Sequence, residues 1–124
     1  MLALLAAGCF SELPDTTSPN GDGVVVTVDM TDALTFTPRT VTIRAGQSVR
    51  WRGVGNAVHT VTADPSLARD PANVRLPAGA EPFDSGIIQP GGQFVRTFTV
   101  AGRYDYVCLP HETVGMLGTV IVEP

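Results

Sequence analysis

Short runs of alternating hydrophobic and polar residues, punctuated by glycine and proline, extend from residue 23 to the end of the chain. The first run, residues 23–30 (GVVVTVDM), is apolar and β-branched. The second, residues 35–53, turns at Ala45-Gly46 and places four apolar side chains on one face: Val41, Ile43, Val49 and Trp51. Alternation with a period of two is typical of half-buried β-strands.

Three further runs complete this pattern. Residues 92–100 have strand composition, with Phe94, Thr97 and Val100 as a less regular inner face, and residues 118–123 form the last run. Residues 103–108 place three side chains on one face, namely Tyr104, Tyr106 and Cys108. No segment shows helical periodicity over ten or more residues, so the chain is predicted to be all-β, a sandwich or a barrel.

One stretch interrupts the strands. Residues 64–82, called the long loop below, contain four prolines in nineteen residues, which excludes a regular strand or a long helix. We expect a loop with at most one helical turn. Loops of this length inside compact domains are usually functional.

The first 22 residues have a different composition. Residues 1–9 (MLALLAAGC) are similar to the end of a bacterial lipoprotein signal, in which the cysteine, here Cys9, becomes the lipidated N-terminus of the mature protein. No lysine or arginine precedes the apolar residues, although a signal normally begins with one. Residues 10–22 are rich in Ser, Thr, Pro, Asp and Gly and are predicted to be a flexible linker, leaving residues 23–124 as the folded domain.

Composition limits the classes of function. The chain has 124 residues, of which 44% are hydrophobic and 16% charged, which fits one globular domain. The formal net charge is −4. An acidic chain without a basic patch is a poor ligand for phosphate backbones, so we expect no nucleic-acid partner.

The candidate chemistry lies near the C-terminus. Residues 108–116, called the ligand loop below, carry a thiol, an imidazole and a thioether on Cys108, His111 and Met116. Pro110 ends the preceding strand and Gly115 permits a turn, so the loop can bring together side chains that a straight strand would point to opposite sides. These residues therefore indicate a metal site.

The donor set favours copper. Thiolate and thioether are soft ligands, and two histidines with one cysteine and a weak axial methionine form an electron-transfer copper site. The chain has one other histidine, His59, which therefore completes the predicted set. Zinc, with Glu112 as a further ligand, is the competing interpretation, but zinc gains little from methionine. Two alternatives need no metal: His59 as an ordinary core histidine, and a disulfide between Cys9 and Cys108.

The sequence also resembles a known family. Residues 104–124 (YDYVCLPHETVGMLGTVIVEP) resemble the ligand loop and last strand of the cupredoxins, in particular plastocyanin, pseudoazurin and halocyanin. Residues 36–61, from FTP to HTV, resemble the family's approach to its first histidine. The resemblance implies a Greek-key β-sandwich of about seven to eight strands. It also implies one copper ion bound by His59, Cys108, His111 and, axially, Met116.

The same resemblance implies a function. We expect a blue-copper protein, not an enzyme, that shuttles single electrons between larger redox proteins such as cytochromes, oxidases or reductases. Copper storage or delivery is the alternative. Partners are expected to dock at an apolar patch around His111, and the protein to be an exported monomer at the periplasmic or extracellular face of a membrane. The patch is formed by Val58, Leu109, Pro110 and Val114.

Several neighbouring residues carry separate predictions. Thr60 is expected to hydrogen-bond toward the ligand loop and keep the two ligand segments in register. Glu112 is expected to be a solvated charge. The tyrosines at 104 and 106 and Trp51 are expected in the core, with tyrosine hydroxyls bound to backbone.

Overall fold

The computed structural model describes residues 23–124, which form nine strands in two sheets. The predictions for Cys9 and for the linker 10–22 lie outside the described residues. The strands are β1 (Gly23–Met30), β2 (Phe36–Thr37), β3 (Thr40–Arg44), β4 (Gln47–Gly53), β5 (Thr62–Ala63), β6 (Phe83–Asp84), β7 (Gln93–Thr97), β8 (Gly102–Val107) and β9 (Leu117–Glu123).

The two sheets are mixed. One has the order β2-β1-β4-β7 and the other β3-β9-β8-β5-β6. The pairs β1–β4 and β3–β9 are parallel, whereas the other ladders are antiparallel. The predicted sandwich is confirmed. The strand count is nine, above the expected seven to eight, because three strands contain two residues each.

The core lies between the sheets and is aromatic at its centre. Trp51 and Tyr106 are fully buried and belong to opposite sheets. Their rings meet edge to face at 5.4 Å, and the Trp51 indole N–H donates a hydrogen bond of 3.0 Å to the Tyr106 hydroxyl. Tyr104 donates to the backbone carbonyl of Val100 at 2.6 Å. Their core positions are therefore confirmed, although only Tyr104 uses a backbone acceptor.

The inner face of β7 differs from the prediction. This strand ends at Thr97, and Thr97 is exposed. Phe98 turns inward instead of Val100, is 2% exposed and packs against Trp51 and Tyr104. The sequence pattern did not predict the burial of Phe98, because the residues after Thr97 lie outside the strand and the period of two no longer applies to them.

The long loop contains the single helical turn that was expected. A 3₁₀ turn spans Pro71–Asn73, and the Asp70 side chain accepts a hydrogen bond from the Ala72 N–H at its start. Arg75 then exchanges backbone hydrogen bonds with Asp105 of β8, which holds the loop against the sheet. Within residues 23–124, no helix is long and apolar enough to cross a membrane.

Candidate metal centre

The ligand loop folds back on itself directly after β8. Leu109–Val114 form a kinked 3₁₀ segment, and Gly115 ends it in the left-handed region at φ 88°. The Cys108 N–H donates to the Met116 carbonyl at 3.1 Å, and the Met116 N–H donates to the His111 carbonyl at 3.2 Å. These bonds bring the three predicted ligand residues of the loop into one short, closed turn.

His59 reaches the same place from another part of the chain. It exchanges two backbone hydrogen bonds with Ile88, of 3.1 and 2.7 Å, just before β5. Since β5 pairs with β8, this segment lies beside the end of β8, where the ligand loop begins. The His59 side chain is fully buried.

Three of the four predicted ligands converge. The ligand atoms of His59, Cys108 and His111 all lie within 4.8 Å of one another. The Cys108 sulfur is 3.7 Å from His59 Nδ1 and 3.4 Å from His111 Nδ1. Both imidazoles thus direct the same nitrogen toward the sulfur. Among residues 23–124 Cys108 is a free, buried cysteine, and the alternative of a disulfide with Cys9 lies outside the described residues.

Met116 is fully buried and belongs to the same turn. Its backbone is hydrogen-bonded to both Cys108 and His111. Its thioether as the axial ligand remains a prediction, which the closeness of these three residues along one turn supports.

Burial shifts the pKa of His59 and of Cys108 toward the neutral form of each side chain. Burial, followed by the nearby charge of His111, lowers the pKa of His59, so its imidazole is neutral at pH 7. The charge of Asp32 and a backbone hydrogen bond to Thr31 oppose this shift but do not reverse it. Burial raises the pKa of Cys108, although N–H groups of Thr60 and His111 oppose the shift. A soft thiol between two imidazoles fits copper better than it fits a hard cation.

Thr60 joins the two ligand segments as predicted. Its hydroxyl oxygen accepts a hydrogen bond from the Leu109 N–H at 2.9 Å, and its own N–H points at the Cys108 sulfur at 3.5 Å. The hydroxyl also lies 2.9 Å from that of Thr62, which donates to the carboxylate of Asp84 at 2.7 Å. Because the Thr62 proton is used on Asp84, Thr60 donates to Thr62, and a directed chain runs from the ligand loop to β6.

We expect Thr60→Val to loosen this connection. The substitution keeps the side-chain shape but leaves the Leu109 N–H without its acceptor, which costs about 1–3 kcal/mol of stability. The copper-loaded variant should show a changed visible spectrum and a shifted reduction potential, measured by absorption and voltammetry. Thr40→Val, at an exposed position of β3, is the matched control. A Thr60→Val protein with an unaltered spectrum and potential would contradict this role.

The prediction for Glu112 is wrong. Its side chain is 5% exposed, and its carboxylate accepts three hydrogen bonds from the long loop. The donors are the backbone N–H groups of Arg69 at 2.7 Å and Asp70 at 3.0 Å, and the side-chain amide of Asn73 at 2.9 Å. Burial alone would raise the pKa of Glu112, but these bonds and the charge of Arg69 together lower it. A carboxylate used in this way is not a ligand for zinc beside Cys108.

Asp32 is a site residue that the sequence analysis did not find. Its carboxylate accepts hydrogen bonds from the backbone N–H groups of Asn56 and Ala57 at 2.8 and 2.9 Å, which fixes the turn before His59. Gly55 is required in this turn: its φ is 90°, and an added Cβ would lie 2.5 Å from the carboxylate. The available signal was an aspartate two residues after the end of β1 and a glycine-containing turn 23 residues later.

Comparisons with known proteins agree with this geometry. The family profile described as copper binding proteins, plastocyanin/azurin family, matches residues 23–123. Chloroplastic plastocyanin of Tetradesmus obliquus is 41% identical over 91 residues, which are 73% of this chain and 60% of that protein. The copper-resistant cuproprotein CopI of Rubrivivax gelatinosus is 32% identical over 117 residues, which cover 78% of this chain and 65% of that protein.

A similar solved structure has the same fold. An oxidized amicyanin mutant superimposes with a TM-score of 0.62 and 26% identity, covering 79% of this chain and 81% of that one. The expected likeness to the cupredoxins is therefore confirmed. Residues 23–123, which match the family profile, contain all four predicted ligands.

Proposed function

Because the chain belongs to the plastocyanin/azurin family of copper-binding proteins, we propose that it carries single electrons between larger redox proteins. The observation that carries the proposal is the meeting of a buried thiol and two imidazoles within 4.8 Å, supplied by two separate segments of a rigid sandwich. Such a site suits a bound metal that changes charge while its ligands stay in place.

His59, Cys108 and His111 would hold the ion, with Met116 as a weaker fourth ligand. Bound copper supplies a one-electron couple between Cu(II) and Cu(I), and thiolate, imidazole and thioether are ligands that suit it. The chain fixes these ligands through backbone hydrogen bonds within the ligand loop and through Thr60. Fixed ligands rearrange little when the charge changes, which favours rapid electron transfer.

The docking surface is the apolar patch around His111. His111 is half-buried, whereas the other ligands are fully covered. Val114 is 67% exposed and Pro110 is exposed, with Leu109 and Val58 half-buried. Apolar groups beside an accessible ligand suit a redox partner that binds briefly and places its own cofactor close to the imidazole edge.

We further propose an exported carrier, attached to the periplasmic or extracellular face of a membrane through a lipid on Cys9 and separated from it by residues 10–22. The protein would act there as a monomer and a carrier, with no catalysis of its own. Intact-mass measurement of protein from the native membrane fraction tests the anchor, since diacylglycerol at Cys9 adds a fixed mass to the N-terminus.

The central experiment adds Cu(II) to purified apoprotein and records the visible and EPR spectra. A carrier should take up one copper per chain, turn intensely blue and show narrow copper hyperfine splitting. It should then cycle between the two oxidation states without losing the metal. A pale solution with an ordinary cupric EPR spectrum would contradict the proposal.

Copper delivery is the second candidate, and the similarity to CopI favours it. A delivery protein should surrender its copper to a competing Cu(I) chelator within minutes, whereas a carrier with a buried, closed site should retain it much longer. Comparing chelator transfer with electron exchange on one loaded sample separates the two functions.

A further inference from the structure

We propose that Glu112 is a positioning residue, which fixes the exposed ligand His111 by fastening the ligand loop to the long loop. The inference rests on the proposed function, because it concerns the orientation of a copper ligand. It starts from the contacts of a carboxylate that directly follows His111 in sequence and is 5% exposed.

Both carboxylate oxygens of Glu112 accept hydrogen bonds from the long loop. Oε1 accepts the Arg69 N–H at 2.7 Å, while Oε2 accepts the Asp70 N–H at 3.0 Å and the Asn73 amide at 2.9 Å. Hydrogen bonds to a charged acceptor are stronger than those between neutral groups. Glu112 is thus a crosslink between segments about 40 residues apart in sequence.

The backbone around His111 explains why such a crosslink matters. His111 interrupts the 3₁₀ segment with φ −125° and ψ 17°, and its backbone hydrogen bonds to Cys108 and Met116 stay within the ligand loop. His59 and Cys108 are held differently, because His59 is paired with Ile88 and the Cys108 sulfur receives the Thr60 N–H. His111 lies in the exposed part of the loop, and the nearest side-chain anchor along the chain is Glu112.

The long loop is in turn a firm support for this anchor. Asp70 caps the turn Pro71–Asn73, and the backbone of Arg75 is paired with Asp105 of β8. The Glu112 carboxylate therefore connects the ligand loop, through the long loop, to the same strand that ends beside Cys108. This closed circuit restricts how far His111 can move relative to the sulfur.

Glu112→Gln and Asn73→Ala are the variants that test the proposal. Glutamine keeps the shape but offers one acceptor oxygen, so at least one donor loses its partner. Asn73→Ala removes one donor and leaves every charge in place. Glu123→Gln, at the exposed end of β9, removes one negative charge far from the ligand loop and is the matched control.

Three measurements are made on each variant, one on the apoprotein and two on the copper-loaded protein. In the apoprotein, hydrogen exchange of the Arg69 and Asp70 amides should accelerate about tenfold in Glu112→Gln, and less in Asn73→Ala. In the copper-loaded protein, both variants should show altered EPR hyperfine splitting and slower electron self-exchange, measured by NMR line broadening in mixed oxidation states. Glu123→Gln should match the wild type in all three measurements.

Three outcomes would overturn the proposal. If the Arg69 and Asp70 amides of Glu112→Gln exchange hydrogen at the wild-type rate, the crosslink is not formed in solution. Faster amide exchange with unchanged hyperfine splitting and self-exchange in both variants would make the contact purely structural. Equal effects in Glu112→Gln and Glu123→Gln would show that the loss of one negative charge, and not the loss of the crosslink, causes them. A wild-type protein that never turns blue would refute the proposed function instead, while the amide exchange would still test the crosslink.

Discussion

Cys108→Ser should abolish the blue colour of the copper-loaded protein. Serine has nearly the shape of cysteine, but its hydroxyl is a hard donor that stays protonated at neutral pH, so the soft thiolate that suits copper is lost. Copper affinity should fall by more than about 100-fold, beyond the effect of losing a group that only supports a ligand. Absorption spectroscopy and competition with a copper chelator measure the two losses.

The fold of the apoprotein provides the control for this variant. The Cys108 sulfur contacts the backbone N–H groups of Thr60 and His111 and the two imidazoles, and hydrogen bonds to sulfur are weak. The thermal unfolding midpoint of apo Cys108→Ser should therefore remain within a few degrees of the wild type. A variant that unfolds much earlier, or that keeps an intense visible band, would contradict the assignment of Cys108 as the thiolate ligand.

Gly118→Ala should destabilise the domain through overpacking. Gly118 faces Tyr106 across the β8–β9 ladder, and a Cβ added there would lie 2.4 Å from the tyrosine ring and its hydroxyl. Tyr106 cannot move aside easily, because it is fully buried and hydrogen-bonded to Trp51. We expect a loss of about 2–3 kcal/mol, which lowers the midpoint by roughly 10–20 °C for a domain of this size.

A second variant, Tyr106→Leu, distinguishes the steric clash with the tyrosine ring from any other destabilising effect of alanine at position 118. In Tyr106→Leu protein, the ring atoms are absent, so adding Gly118→Ala should cost clearly less than in the wild type. Chemical denaturation of the four proteins forms a double-mutant cycle. Equal costs in both backgrounds would refute the steric explanation. Because Met116 precedes β9 directly, Gly118→Ala should also disturb the copper spectrum.

The strand pattern determined the class of fold. The alternation of Val41, Ile43, Val49 and Trp51 reflects the pleat of a strand, in which successive side chains point to opposite faces, and all four are buried. The rule depends only on neighbours along the chain, so it can be read locally. It failed at Phe98, where the chain has left the strand and burial is decided by the opposite sheet.

The candidate ligands were predictable for a chemical reason. Two soft sulfur donors and one imidazole lie within nine residues, a donor set that favours copper, and the chain has just two histidines. The composition therefore predicted His59 as the second imidazole ligand without any information on where it lies in the fold. That its ring lies 3.7 Å from the Cys108 sulfur depends on the pairing of β5 with β8, a contact between residues nearly 50 positions apart.

The sequence by itself determined the longer strands, most of the core face and the set of donor atoms, because each follows from local periodicity or from the chemistry of individual side chains. Only the tertiary structure decided how Glu112 and Asp32 are used. Both are charged residues in loops, which usually face solvent. Each instead binds backbone N–H groups of a segment more than 20 residues away, and such partners come together only after the sheets have packed.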